Sequence, residues 1–202
     1  MIAIIDYGVG NLYNLKNALD FQHLPARIVS DPAALGEPTH IILPGVGAFG
    51  AAMEHLRASG MVEPVLRHVR AGRPFLGVCV GHQLLFEASE EGDSPSGLGL
   101  IGGRVVRFRH ALKIPQIGWN QVAFQRDDPL LEGIPDRSYF YFVHSYYAEL
   151  SDPDDALGLT DYGVAFPSVV RHGNVWGVQF HPEKSQDAGL RLLYNFSRLR
   201  PE

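Results

Sequence analysis

The chain is poor in cysteine: 202 residues contain one. A single cysteine excludes an internal disulfide and makes a reducing compartment the expectation. There is no apolar run long enough to span a bilayer. The first residues, Met1-Ile2-Ala3-Ile4-Ile5-Asp6, lack a basic start and a small-residue cleavage site. They read as a buried first strand rather than a signal peptide, so the expected location is cytoplasmic. There is no basic excess either. The formal net charge of -5 gives no field to hold nucleic acid. Internal repeats, low-complexity stretches and linkers are all missing. What is present, 46% hydrophobic and 19% charged residues, suits one folded domain over residues 1–202 with a full core.

The first half alternates two patterns. Ile2-Asp6, Arg27-Ser30 and His40-Leu43 are short apolar, strand-like runs. Leu12, Leu15, Leu19 and Leu24 recur near helical spacing, with Asn11 as N-cap. Further helices are expected over Ala51-Ala58, Val62-Ala71 and Gly81-Glu87. Strands alternating with helices imply an α/β fold, with a mostly parallel central sheet flanked by helices. Ligands bind such sheets beyond the carboxyl ends of the strands. The second half changes character. Val105-Phe108, Gln121-Phe124, Tyr139-Ser145, Ser168-Arg171 and Asn174-Phe180 are short runs rich in Val, Phe and Tyr. They predict added antiparallel strands, with a hairpin turn at His172-Gly173. Gln186-Leu199 predicts a closing helix with Leu190, Leu193, Tyr194 and Leu199 on or near one face.

Cys79 lies in Gly77-Val78-Cys79-Val80-Gly81, between a strand-like and a helix-like stretch. A lone cysteine is more often a small buried hydrophobe. A reactive residue between glycines at a strand-to-helix turn is instead a nucleophile elbow. The glycines are expected to allow the sharp turn and leave room for substrate above the sulfur. The helix start behind the sulfur favours thiolate.

A cysteine nucleophile needs a base, and the base needs an orienting group. Nine histidines compete for the role. His181-Pro182-Glu183 follows a strand. The proline keeps His181 extended, and residues two apart then project to one side. Glu183 can thus bond one ring nitrogen and leave the other for Cys79. His82, three residues past Cys79, is a rival without an evident orienting carboxylate, and reads as a packing residue. His144 ends another strand and reads as a pocket residue. A zinc-deaminase reading of His-x-Glu fails because it needs a Pro-Cys-x-x-Cys partner. No metal or cofactor is expected.

Attack on a carbonyl makes an oxyanion, which needs preorganised donors. The Val80 N–H is one candidate. The Pro44-Gly45-Val46-Gly47 turn, freed by its glycines, can supply another. That turn lacks the Gly-x-x-x-x-Gly-Lys-Ser/Thr pattern of a phosphate loop. Gly8-Val9-Gly10 likewise lacks the third glycine of a dinucleotide site.

Together these motifs resemble the class I, triad-type glutamine amidotransferases, over nearly the whole chain. The cysteine and His-Pro-Glu motifs carry the likeness to the superfamily. Ile4-Ile5-Asp6-Tyr7-Gly8-Val9-Gly10-Asn11, Gly118-Trp119-Asn120 and Tyr141-Phe142-Val143-His144-Ser145-Tyr146 carry it to the branch serving histidine biosynthesis. The resemblance implies that Cys79 attacks the amide of L-glutamine, that His181 protonates the departing ammonia and that Glu183 orients His181. It implies a Val46 peptide able to turn toward or away from the oxyanion. It also implies glutamine contacts from Gly47, Gln83, Glu91, Ser145 and Tyr146. It implies a heterodimer with a (β/α)8-barrel cyclase subunit, which receives the ammonia, with Asn11, Trp119, Tyr141 and Lys184 at the interface. Read without the resemblance, those four are an N-cap, a core aromatic, a strand aromatic and a solvated lysine. His82 departs from the apolar residue, often Met, that relatives carry, and Gln116 from a frequent His. Three other readings stay open: a glutaminase serving another synthase, a cysteine hydrolase or stress protein on a related sheet, and a non-catalytic scaffold.

Overall fold

The computed structural model describes residues 1–201. Glu202, the last residue of the expected domain, lies outside the described residues. In chain order the first half contains β1 (Ile2–Ile5), α1 (Leu12–Phe21), β2 (Ala26–Val29), β3 (His40–Gly45), α2 (Phe49–Ala58), α3 (Val62–Arg70), β4 (Phe75–Cys79) and α4 (Val80–Gln83). Then follow β5 (Ala88–Ser89), β6 (Gly103–Arg107), β7 (Gln116–Gln121), β8 (Ala123–Phe124), β9 (Tyr139–His144) and β10 (Tyr146–Leu150). The chain closes with β11 (Ala156–Asp161), β12 (Ala165–His172), β13 (Val175–Val178) and α5 (Gln186–Arg198).

An eight-stranded sheet runs in the order β2-β1-β3-β4-β13-β12-β11-β8. From β2 to β13 the neighbours are parallel, and from β13 to β8 they are antiparallel. This is the expected parallel sheet with antiparallel additions. β1, β3, β4 and β13 are buried along their whole length. Their runs are therefore apolar without alternation, as sheets covered on both faces require. The helices turn apolar stripes inward: Leu15, Ala18 and Leu19 from α1, and Phe49, Ala52, Met53 and Leu56 from α2. A three-stranded sheet, β10-β6-β5, and a two-stranded ribbon, β7-β9, complete the fold.

Several local expectations change. Leu24 lies beyond α1, which ends at Phe21. Asn11 stands at the N-cap, but its side chain makes no capping bond. The helix after Cys79 spans only Val80–Gln83, because the next N–H groups, of Leu85 and Phe86, bond three residues back to the His82 and Gln83 carbonyls and end the α-helical pattern. Gln121–Phe124 is split between the end of β7 and the two-residue β8. In α5 the buried stripe is Gly189, Leu192, Leu193, Asn195 and Phe196, while Tyr194 is exposed. Trp119 is exposed rather than part of the core.

Candidate active site

Three neighbouring parallel strands bring the site together. Gly45 at the end of β3 pairs with Cys79 at the end of β4. On the other side, Val178 of β13 pairs with Val78. The chain leaving β3 is thus the Val46-Gly47 turn, the residue ending β4 is the cysteine, and His181 lies three residues past β13. This is the carboxyl end of the sheet, where parallel strands leave a crevice.

Cys79 has φ 57° and ψ −113°. A non-glycine residue in that region is strained, and the surrounding structure must hold it there. The flanking glycines allow the sharp turn, as expected, since a Cβ on Gly77 would overlap the Gly81 carbonyl oxygen, but they do not leave room for substrate. A Cβ on Gly81 would overlap the Leu43 carbonyl oxygen. The turn is pressed against β3 from below, so the missing side chain accommodates protein backbone rather than substrate. α4 is a single turn and carries little macrodipole, because few peptide dipoles align. Sγ lies 4.0 Å from the Val143 carbonyl oxygen.

His181 Nδ1 is 2.9 Å from Glu183 Oε1, and both side chains are buried. Pro182–Lys184 forms a 3-10 turn that folds the carboxylate back onto the ring. Burial alone lowers the His181 pKa. Its hydrogen bonds to Cys79 and to Glu183, together with their negative charge, outweigh burial and push it up to about 10. The ring between an anionic sulfur and a carboxylate therefore holds its proton at neutral pH. The turn is tied to β9: His181 N–H donates to the Tyr141 carbonyl at 2.9 Å. Ser185 Oγ donates to the His181 carbonyl at 2.6 Å and accepts from Tyr141 N–H at 3.0 Å.

His82 is fully buried, and neither ring nitrogen has a hydrogen-bond partner among the described residues. It packs edge-on against Phe86 with ring centroids 5.3 Å apart. Burial, with a smaller contribution from His144, lowers its pKa to about 3. It is a neutral packing residue, as expected. His144 Nδ1 lies 2.7 Å from the Tyr146 carbonyl, and Nε2 lies 2.9 Å from the Gln116 side-chain amide. Burial lowers its pKa to about 4, against the pull of the Tyr146 carbonyl. A neutral His144 donates from Nδ1 to that carbonyl, so Nε2 is an acceptor that the amide N–H of Gln116 satisfies once turned toward it.

A cleft of about 550 Å³ opens above the sulfur. Its walls include Val46, Gly47, Cys79, Val80, Gln83, Glu91, Ser145, Tyr146 and His181, together with Asn11 and Lys184. Every expected catalytic, oxyanion and glutamine-contact residue but Glu183 lines it, and Glu183 stands behind His181. Gly47 has φ +87°, a backbone region open to glycine, and a Cβ there would meet nothing within 4 Å. Tyr7 braces this turn from beneath by donating to the Pro44 carbonyl at 2.8 Å. Burial, and then negative charge at Cys79, push the Tyr7 phenol pKa up. Gln83 Nε2 donates to the Tyr146 carbonyl and to Gln179 Oε1, both at 3.1 Å. Gln179 and Ser185 thus support the site, and neither stands out in the sequence as a site residue. Their role depends on contacts across 96 and 44 positions, which no local pattern signals.

Trp119 and Tyr141 lie outside the cleft wall but beside its mouth. They are register partners in the β7-β9 ribbon, with ring centroids 5.9 Å apart. Lys184 Nζ lies 5.7 Å from the Tyr141 ring centroid. Along the ribbon buried and exposed residues alternate, so Ile117, Trp119 and Tyr139 are all exposed near this point. No group of acidic, histidine or cysteine side chains suited to a metal occurs among the described residues. No helix among them is long and apolar enough to cross a membrane.

The family model for glutamine amidotransferase class-I matches residues 3–198. An imidazole glycerol phosphate synthase subunit HisH from Desulfitobacterium hafniense (strain DSM 10664 / DCB-2) is 51% identical, over 98% of this chain and 94% of its own. The protein of the same name from Symbiobacterium thermophilum is 50% identical, over 98% and 93%. A crystal structure of a glutamine amidotransferase superposes with a TM-score of 0.76 at 20% identity, covering 97% of this chain and 99% of that one. At that identity the superposition speaks for the fold alone.

Proposed function

The chain belongs to the class I glutamine amidotransferases, and on that premise we propose that it is the glutaminase subunit of an imidazole glycerol phosphate synthase. Relatives of that name, about half identical over nearly the full length, support the pathway, histidine biosynthesis. The observation that carries the chemistry is the buried His181–Glu183 pair beside the strained Cys79.

The proposed reaction begins with an imidazolium at His181 facing a thiolate at Cys79. Sγ bonds to the side-chain carbonyl carbon of L-glutamine, and the carbonyl becomes an oxyanion. Backbone N–H groups of Val80 and of the Val46-Gly47 turn stabilise it in a water-poor site. The C–N bond breaks as the nitrogen takes the His181 proton, and ammonia leaves. Neutral His181 next takes a proton from water while the oxygen bonds to the glutamyl thioester. The C–S bond breaks, glutamate departs, and the imidazolium–thiolate pair returns. Glu183 fixes the ring tautomer and stabilises the imidazolium throughout.

Ammonia needs a dry path to its acceptor. The exposed apolar stripe of Ile117, Trp119 and Tyr139, with half-buried Tyr141 beside Trp119, lies at the cleft mouth and is of the kind that marks a protein interface. Asn11 and Lys184 at the same mouth add polar contacts. We assign this face to a (β/α)8-barrel cyclase subunit. Residues 1–202 act as a single domain in this role.

The test is ammonia release from glutamine by the chain alone and with the cyclase subunit and its ligand. Release should rise on assembly and vanish in Cys79→Ala. No release from the assembled wild type would overturn the reading.

A further inference from the structure

Glu91 faces two ways. Its Oε2 accepts a hydrogen bond from Phe49 N–H at 2.7 Å, across 42 residues of chain. Phe49 is the first residue of α2, and that helix has no cap of its own. Ala48 at the N-cap offers no side-chain oxygen, and the first turn contains no acidic residue. A helix start without a cap leaves N–H groups unsatisfied, and a carboxylate there meets the positive end of the helix dipole. Glu91 therefore caps α2 from a distant segment. Its own backbone is held in turn, since Glu91 N–H donates to Ser89 Oγ at 3.1 Å.

The position of this cap matters. Between Gly45 and Phe49 lie only Val46, Gly47 and Ala48, all exposed, while the residues on either side are buried. The oxyanion turn is thus fixed at two points. At one, β3 is clamped by β4 and by the Tyr7–Pro44 contact. At the other, the start of α2 is held by Glu91. The same carboxylate lines the cleft, and Oε1 has no hydrogen-bond partner among the described residues.

We infer that Glu91 is a positioning residue for the oxyanion turn as well as a contact for glutamine, anchoring α2 with one oxygen while the other meets the substrate ammonium. This rests on the glutaminase reading. Filling the amine subsite then stiffens the carboxylate that holds the far end of the turn, so a correctly seated glutamine secures its own oxyanion donors.

The experiment measures kcat and KM for L-glutamine with the chain assembled on its cyclase subunit. Glu91→Gln keeps an oxygen for Phe49 N–H but loses the charge. It should raise KM about tenfold and leave kcat within about threefold. Glu91→Ala loses both and should also cut kcat by at least tenfold, less than the roughly hundredfold loss of a whole oxyanion donor. Adding Ala48→Ser to Glu91→Ala supplies a local cap and should recover part of kcat while KM stays high. Hydrogen exchange without substrate gives an independent reading: the Phe49 amide should exchange at least tenfold faster in Glu91→Ala than in wild type. A Glu91→Ala protein with wild-type kcat, or with unchanged Phe49 exchange, would overturn the inference. Loss of ammonia release in the wild type would overturn the glutaminase reading instead, while the exchange result would still decide whether Glu91 tethers α2.

Discussion

Two histidines flank Cys79, and their surroundings are opposite. His181 stands on the cleft side, bonded to the Cys79 sulfur and to the Glu183 carboxylate, whose negative charges help push its pKa up to about 10. His82 stands on the core side, with no partner for either nitrogen among the described residues and a pKa lowered to about 3. Both are buried, so burial does not separate them; partners do. A buried imidazole keeps its charge only where nearby anions repay desolvation. In the proposed reaction the cleft face of the elbow transfers protons, while the core face packs. Proximity in sequence misleads here: His82 is three residues from the nucleophile and His181 is 102 away.

The largest effect that could break this contrast is on turnover. His181→Ala should lower kcat for glutamine by about a thousandfold, within the range for removing an acid–base group. His82→Met should leave kcat within about threefold. If the two losses were equal, the core face would take part in the chemistry and the assignment of roles would fail. The linkage has a definite sign. A folded-state pKa of about 10 for His181, against about 6.5 unfolded, stabilises the fold fully below pH 6.5. That contribution disappears as pH rises through about 10. Alkaline denaturation of His181→Ala should therefore show a shallower loss than wild type over that window.

A smaller effect sharpens the cleft side. Ser185 bonds the His181 carbonyl and the Tyr141 N–H, so it fixes the His181 turn to the β7-β9 ribbon. Ser185→Ala leaves the Tyr141 N–H without its acceptor. The expected cost is about 1–3 kcal/mol of stability, read by chemical denaturation, together with about a tenfold fall in kcat. A stability loss with unchanged kcat would show that the tether supports the fold but does not orient His181.

The sequence was informative where one segment carries its own pattern. β1, β3 and β4 are apolar runs because both faces are covered, and α2 has an apolar stripe. The His181–Glu183 pair was legible from its spacing, but a 3-10 turn over Pro182–Lys184, rather than the extended stretch expected, brings the two side chains together. What escaped depends on distant partners. β10 and β11 mix apolar residues with Glu149, Gly158 and Asp161, and exist as strands through pairing with β6 and β12. The Gln83–Gln179 and Glu91–Phe49 contacts span 96 and 42 positions and leave no local trace. The purpose of Gly81 was misread for a related reason, since the Leu43 carbonyl beneath it belongs to another strand.

The smallest effect at neutral pH tests the core side alone. The two unpartnered nitrogens of His82 are a standing cost in the folded state, because water satisfies them in the unfolded chain. Methionine has similar bulk and no such atoms, so His82→Met should raise stability by about 1–2 kcal/mol at pH 7, measured by denaturant titration. Acid should widen the gap. Below pH 6.5 the unfolded chain takes up a proton on this histidine that the folded chain refuses until about pH 3. The advantage of the variant should grow by about 1.4 kcal/mol per pH unit across that window. His40 and His144, each lowered to about 4 by burial, remain in the variant. It should therefore still lose stability in acid, with a slope smaller by one proton. An unchanged slope would mean that His82 finds a proton partner in the folded state, and the contrast between the two faces of Cys79 would have to be redrawn.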